Sequence, residues 1–165
     1  MIKAKKRDLL NLWQILEGLK NKKQNVKFSY FVAKNRLAIK GEVDALNEAQ
    51  EASEEFKLYD AKRAELAASS ADRTADTGQP MTSNGQYVIR EKKEEFEKQL
   101  AELKEQYKTA IEDRQKQLVA FKELLEETFD FKGHSIKLDN LPPDIEPTIL
   151  ECLLTVDLIL EENKS

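Results

Sequence analysis

Between residues 90 and 128, Phe96, Leu100, Leu103, Tyr107, Ala110, Arg114, Gln117, Phe121, Leu124 and Thr128 recur at alternating spacings of four and three. Seven of the ten are apolar. Their mean step of about 3.5 residues is the repeat of a helix that keeps one stripe against a partner helix. A second stripe, Ile39, Val43, Leu46, Ala49, Ser53, Phe56, Tyr59, Arg63 and Leu66, steps by three or four through residues 30–68, which hold neither Pro nor a turn cluster. At about 1.5 Å per residue the stretches from Ile39 to Leu66 and from Phe96 to Leu125 are each about 40 Å long. The matched lengths, joined by one connection, predict a long antiparallel, coiled-coil-like helical hairpin with arms 39–68 and 90–125. Gly41 lies in the first arm, at a cost of up to about 1 kcal/mol against Ala; it either permits a close helix crossing or is tolerated.

The flanking segments read differently. Leu9, Leu12, Trp13, Leu16 and Leu19 predict a short helix over 6–20, broadened by Leu10 and Ile15 and broken by the polar run 21–25. Val26 and Phe28, with Lys27 between them, suggest an extended segment, and Ser29 stands as the N-cap of the long helix that follows. The tip loop, 69–89, is small, polar and rich in turn formers. Asn84-Gly85 suits a tight turn pairing 80–82 with 87–89, although a disordered linker fits the composition nearly as well. Phe129, Phe131, Ile136 and Leu138 predict a β-hairpin turning near Lys132-Gly133, with 26–28 as a third strand. A last helix, starting at Asp144 or Glu146 and running to Glu162, would have Asp144 as N-cap and Pro147 in its first turn. It is apolar over most of its circumference, so the helix at 6–20 is its expected cover. The expected fold is mainly α with a few short β-strands, a single domain over 1–165. Its base is 1–38 and 126–165, formed by the N- and C-terminal helices.

Composition sharpens this picture in three places. Charged residues make up 35% of the chain and hydrophobic ones 40%, with five Gly and four Pro, which favours long helices over a turn-rich β fold. The lone Cys152 excludes an intramolecular disulfide and fits a reducing compartment, although it could bridge two chains. No apolar run approaches the roughly 20 residues of a membrane span, and no signal-peptide core follows the basic start, so a soluble, unprocessed protein is expected. The net charge of −4 also conceals an asymmetry: residues 1–40 carry +9 and residues 41–165 carry −13. Lys3, Lys5, Lys6, Arg7, Lys20, Lys22, Lys23 and Lys27 are a candidate patch for nucleic acid or an acidic partner. They equally well lie against the chain's own acidic C-terminal segment or solvate a surface. The interleaving of aromatic and basic residues that makes a base-stacking platform is missing, which argues against nucleic acid.

Catalytic chemistry finds little purchase. Asp76-Thr77-Gly78 spells the aspartic-protease triplet, but it sits in a polar loop of a helical chain and reads as a turn. His134, the only histidine, lies in a turn between Gly133 and Ser135 with no nucleophile marked out beside it. There is no Cys-x-x-Cys, no His-Glu-x-x-His, no acidic calcium loop and no Gly-rich phosphate loop, so neither a metal nor a cofactor is expected. The paired glutamates at 54–55, 94–95, 126–127 and 161–162 read as solvated helix faces, and Cys152 as a small hydrophobe in an apolar helix. The chain is not expected to be an enzyme.

One resemblance covers nearly the whole length. The leucine-rich first helix is followed by Lys27-Phe28-Ser29-Tyr30-Phe31-Val32-Ala33-Lys34-Asn35, by Tyr59, Arg63 and Leu66 ahead of Asp76-x-Gly78, and by Tyr87-Val88-Ile89 leading into a charged helix. Then come Ile136-Lys137-Leu138 and Leu141-Pro142 before an apolar last helix. This order resembles small, uncharacterised helical proteins of tailed bacteriophages and prophages. The resemblance implies a phage-encoded protein located in the bacterial cytoplasm or the virion, and it carries over no catalytic residues. The expected function is a protein-interaction module acting in assembly or as a virion component, with a phage or host protein as partner and scope for self-association. The alternatives are an inhibitor docking on a host RNA polymerase or defence nuclease, and nucleic-acid binding through the basic N-terminal region. Candidate partner-binding residues in the tip loop are Arg73, Asp76, Gln79, Met81, Asn84 and Tyr87.

Overall fold

The computed structural model describes residues 1–22 and 24–160. In chain order the elements are β1 (Ile2–Lys5), α1 (Lys6–Leu19), α2 (Val26–Gln50), α3 (Glu54–Ser70), β2 (Thr82–Ser83), β3 (Gln86–Tyr87), α4 (Lys93–Gln106), α5 (Lys108–Glu126), β4 (Thr128–Phe131), β5 (Ile136–Lys137), a 3-10 turn (Leu138–Asn140), α6 (Pro147–Thr155) and β6 (Ile159–Leu160). The fold is mainly helical, with a few short strands. It divides into two compact units, residues 1–50 with 120–165, and residues 51–119.

The first unit is built from both ends of the sequence. Leu9, Leu12 and Leu16 of α1, Phe28, Phe31, Ile39 and Val43 of α2, and Leu153, Val156 and Leu158 near the C-terminal end are almost wholly buried in one core. α1 packs on α2 and on α6, as its apolar face requires. Two small sheets flank these helices, β1 antiparallel to β4 and β5 parallel to β6.

Several sequence expectations are corrected here. The long helix starts at Val26, not after Ser29, because the Asn25 side chain caps it by accepting from the Phe28 amide (2.9 Å). Phe28, Phe31, Val32 and Asn35 then share its buried side, while Val26 is exposed, so no strand forms at 26–28. That helix also stops at Gln50. Ser53, in extended conformation, caps a new helix by accepting from the Phe56 amide, and Glu54 and Glu55 fill the first turn. The β-hairpin expected over 129–138 is absent, since β4 takes β1 as its partner and β5 takes β6. The last helix begins at Pro147 with Glu146 at the cap position and no side-chain cap from Asp144. It ends at Thr155, where Asp157 takes a positive φ of 52° and turns the chain into β6. The final part of that expected helix, 161–162, lies outside the described residues. Gly41 has open space where a side chain would be, so it mediates no close crossing.

In the second unit α3 packs against α4. The Tyr59 and Tyr107 rings lie 5.9 Å apart, Lys62 donates to the Tyr107 hydroxyl (2.8 Å), Arg114 stacks over Phe56, and the Gln117 amide donates to the Glu51 carbonyl (2.8 Å). Phe96, Leu100, Leu103, Tyr107 and Ala110 are the sheltered positions of their stretch, and the residues between them are exposed. The stripe read from the sequence is thus the more sheltered face, half-buried along α4 and buried at Ala110. α4 and α5 are separated at Tyr107, which leaves helical angles (φ −108°, ψ 20°) while its amide still donates to the Leu103 carbonyl and its carbonyl still accepts from Ile111.

Candidate functional site

The tip loop is built around Asp72. Its amide donates to the Val88 carbonyl (2.8 Å), its carbonyl accepts from Met81 (2.7 Å), and its carboxylate accepts from the amides of Arg90 (3.1 Å) and Glu91 (3.2 Å) just ahead of α4. Beyond it, Asn84 and Gly85 take positive φ angles of 51° and 75°, and Thr82 pairs with Tyr87, and Ser83 with Gln86. The Asn-Gly turn predicted from the sequence is therefore present, over a shorter ladder than 80–82 with 87–89. Thr74 to Gly78 form a second turn, closed by the Gly78 amide on the Thr74 carbonyl and by Arg73 donating to the Gly78 carbonyl (3.1 Å). This network ties the loop at each level, so it is a folded element.

Of the six tip residues, Arg73, Asp76, Gln79, Asn84 and Tyr87 are exposed and Met81 is half-buried. Tyr87 and Asn84 sit on the β2–β3 hairpin, whereas Arg73, Asp76 and Gln79 belong to the other turn, which the Arg73–Pro80 bridge closes. Asp76 lies in a solvent-exposed turn, away from any buried carboxylate partner of the protease kind.

The basic candidates are largely engaged within their own unit. Lys5 and Arg7 both meet Glu126 (2.7 Å each), Lys6 meets Glu127 (3.0 Å) and Glu42 (3.3 Å), Lys20 meets Glu17, and Lys22 approaches Glu146 (3.9 Å). Lys3 sits opposite Asp130 in the β1–β4 ladder, and Lys27 is exposed in the first turn of α2. Lys23 lies outside the described residues. Hydrogen bonding from Lys5, with the Arg7 charge beside it, holds the Glu126 carboxyl below its ordinary range. Lys20 and then Arg36 do the same to Glu17, and Glu127 raises Lys6. Residues 120–165 hold eleven carboxylates against four lysines, so the basic and acidic ends cancel and the first unit nets −1.

His134 and Cys152 have structural surroundings. Asn35, wholly buried, accepts from the His134 amide (3.0 Å) and donates to its carbonyl (2.8 Å), and the imidazole meets the Tyr30 ring edge-on. Cys152 lines an α1–α6 groove with Asp8, Asn11 and Glu151, where burial and then the Asp8 charge push the thiol pKa up, away from the nucleophilic thiolate. Among the described residues, no group of three or more His, Cys, Asp or Glu is placed to hold a metal, and no helix is long and apolar enough to cross a membrane.

Two features escaped the sequence reading. Asp72 carries the tip, but its partners lie up to 19 residues away and leave no local mark. A groove of about 500 Å³ runs along the second unit, lined by Glu54, Glu55, Leu58, Gln106, Tyr107, Thr109 and Ala110. Its signal was Leu58, an apolar residue off the stripe. The chain matches no protein-family model, no curated protein and no solved structure.

Proposed function

We propose that the chain is a non-enzymatic protein-interaction module of phage provenance, acting in assembly or as a virion-associated component. In this reading α3 and α4–α5 are the arms of a helical hairpin, and the loop between them is presented to a protein partner. The observation that carries it is the tip itself. A loop cross-tied through Asp72 holds Arg73, Asp76, Gln79, Asn84 and Tyr87 exposed, and a pre-ordered loop loses less entropy on binding. Tyr and Arg are the side chains most often found as binding anchors. The ion pairing of the basic end with the acidic end favours this reading over nucleic-acid binding.

The test is to immunoblot gradient-purified particles from the host that encodes the chain, beside particles carrying the double substitution Arg73→Glu and Tyr87→Ala. Expected is a band in wild-type particles that falls at least tenfold in the variant while its level in the lysate is unchanged. Absence from particles and from assembly intermediates would overturn the reading. Co-purification with a host enzyme instead would replace it by the inhibitor.

A further inference from the structure

We infer that the groove of the second unit is the seat of a second copy of this chain, docked about a two-fold axis beside Leu58. Leu58 is 52% exposed although it lines this groove, and the neighbouring Thr109 and Ala110 are small enough to leave room for a side chain from outside. Helix α4 has no fully buried residue, so the α3–α4 layer has apolar surface that a single copy does not cover.

The occupant follows from charge. Glu55, Leu58 and Lys62 fall at helical spacing on one side of α3, and the midpoint between Glu55 and Lys62 lies beside Leu58. Seven residues of helix separate the two charges by about 10 Å. A face reading acid, apolar, base along a helix is complementary to itself when a second copy runs antiparallel, because a two-fold axis sets residue i on j and j on i. Glu55 of each copy then meets Lys62 of the other, with the two Leu58 side chains between them. Both groups can take such a partner. Glu55 makes no ion pair among the described residues, and Lys62 spends one donor on the Tyr107 hydroxyl, leaving its ammonium two more. Two two-helix layers closed face to face make a four-helix bundle, a stable way to cover such surfaces. The inference goes beyond the proposed function and holds whatever partner the tip loop takes.

Sedimentation equilibrium on the full chain tests it, with three variants checked for retained helicity by circular dichroism. The 19.0 kDa chain is expected to reach twice that mass as its concentration rises. Glu55→Lys and Lys62→Glu should each weaken the dimer at least tenfold, since both cross-copy pairs become repulsive, and Leu58→Gln should do likewise without altering charge. Mixing the Glu55→Lys and Lys62→Glu chains should restore a dimer, because both pairs are then opposite in sign. A chain that stays monomeric at all concentrations would overturn the inference. So would a dimer indifferent to all three substitutions, or a mixture that fails to associate.

Discussion

Asn35 shows how one side chain fixes a segment far away in the sequence. It is wholly buried in a helix whose other inward positions are apolar, and it is fully satisfied by the Phe31 carbonyl and by both backbone groups of His134. Asn35→Leu keeps the volume and strands those His134 groups, at about 1–3 kcal/mol each when buried. We expect a loss of about 2–4 kcal/mol, read as a lower urea midpoint at unchanged slope from Trp13, the only tryptophan, which lies in the same unit. Gly133, next to His134, is fixed by packing. A Cβ there would lie 2.3 Å from the Ile2 side chain and 3.1 Å from Leu158 and Phe131. Gly133→Ala should therefore cost about 1–3 kcal/mol in the same assay. Neither role was legible from the sequence: the His134 groups that Asn35 binds lie 99 residues away, and Gly133 read as a turn.

Among the elements, the stripe 96–110 was legible because one-sided burial of a helix imprints a period of 3.5 on its apolar residues, and the exposed residues between show that imprint. The break at 51–53 was not. Ala49, Ser53 and Phe56 keep the same step across it, and a serine inside a helix looks like a serine that caps one. The apolar run at the C-terminal end failed for another reason: periodicity cannot separate a buried helix from the strand that follows it, and only Asp157 marks the turn. Strand partners were equally opaque, since alternation says which face is buried and nothing of the neighbour. The cap itself is testable. Ser53→Ala should cost about 1 kcal/mol and lower the helical melt followed by far-ultraviolet circular dichroism, whereas Ser53→Asp should restore it.

Across the whole molecule, pH acts through ion pairs, of which Glu126 with Lys5 and Arg7, and Lys6 with Glu127, join the two sequence ends, while Glu17 pairs locally with Lys20 and Arg36. The carboxyls of Glu17 and Glu126 lie below their ordinary value of 4.5 in the fold. They contribute stability above the unfolded value and lose it as pH falls through the folded one. Lys6 lies above its ordinary 10.5, so its contribution is present below that value and is lost as pH rises through its folded pKa. The melting temperature followed by Trp13 should therefore be flat near neutrality, fall below about pH 4.5 and fall again above about pH 10.5. These charges are solvated, so added salt should flatten both limbs. A melting temperature that rises on acidification would contradict the pairing. The basic and acidic ends behind the charge asymmetry pair with one another within one unit of the fold.

The interruption of the first unit by the second gives the protein an order of assembly during synthesis. Residues 51–119 are contiguous and can fold as they leave the ribosome, at about 5–20 residues per second. Leu9, Leu12, Leu16, Phe28 and Phe31 leave it earlier, yet they lack Leu153, Val156 and Leu158 until the last part of the chain emerges. Throughout that interval the apolar faces of the N-terminal helices lack their C-terminal cover. A nascent chain halted with residues 1–119 outside the ribosome and Leu153, Val156 and Leu158 not yet emerged should be cut by protease within residues 6–50 while 54–119 resists.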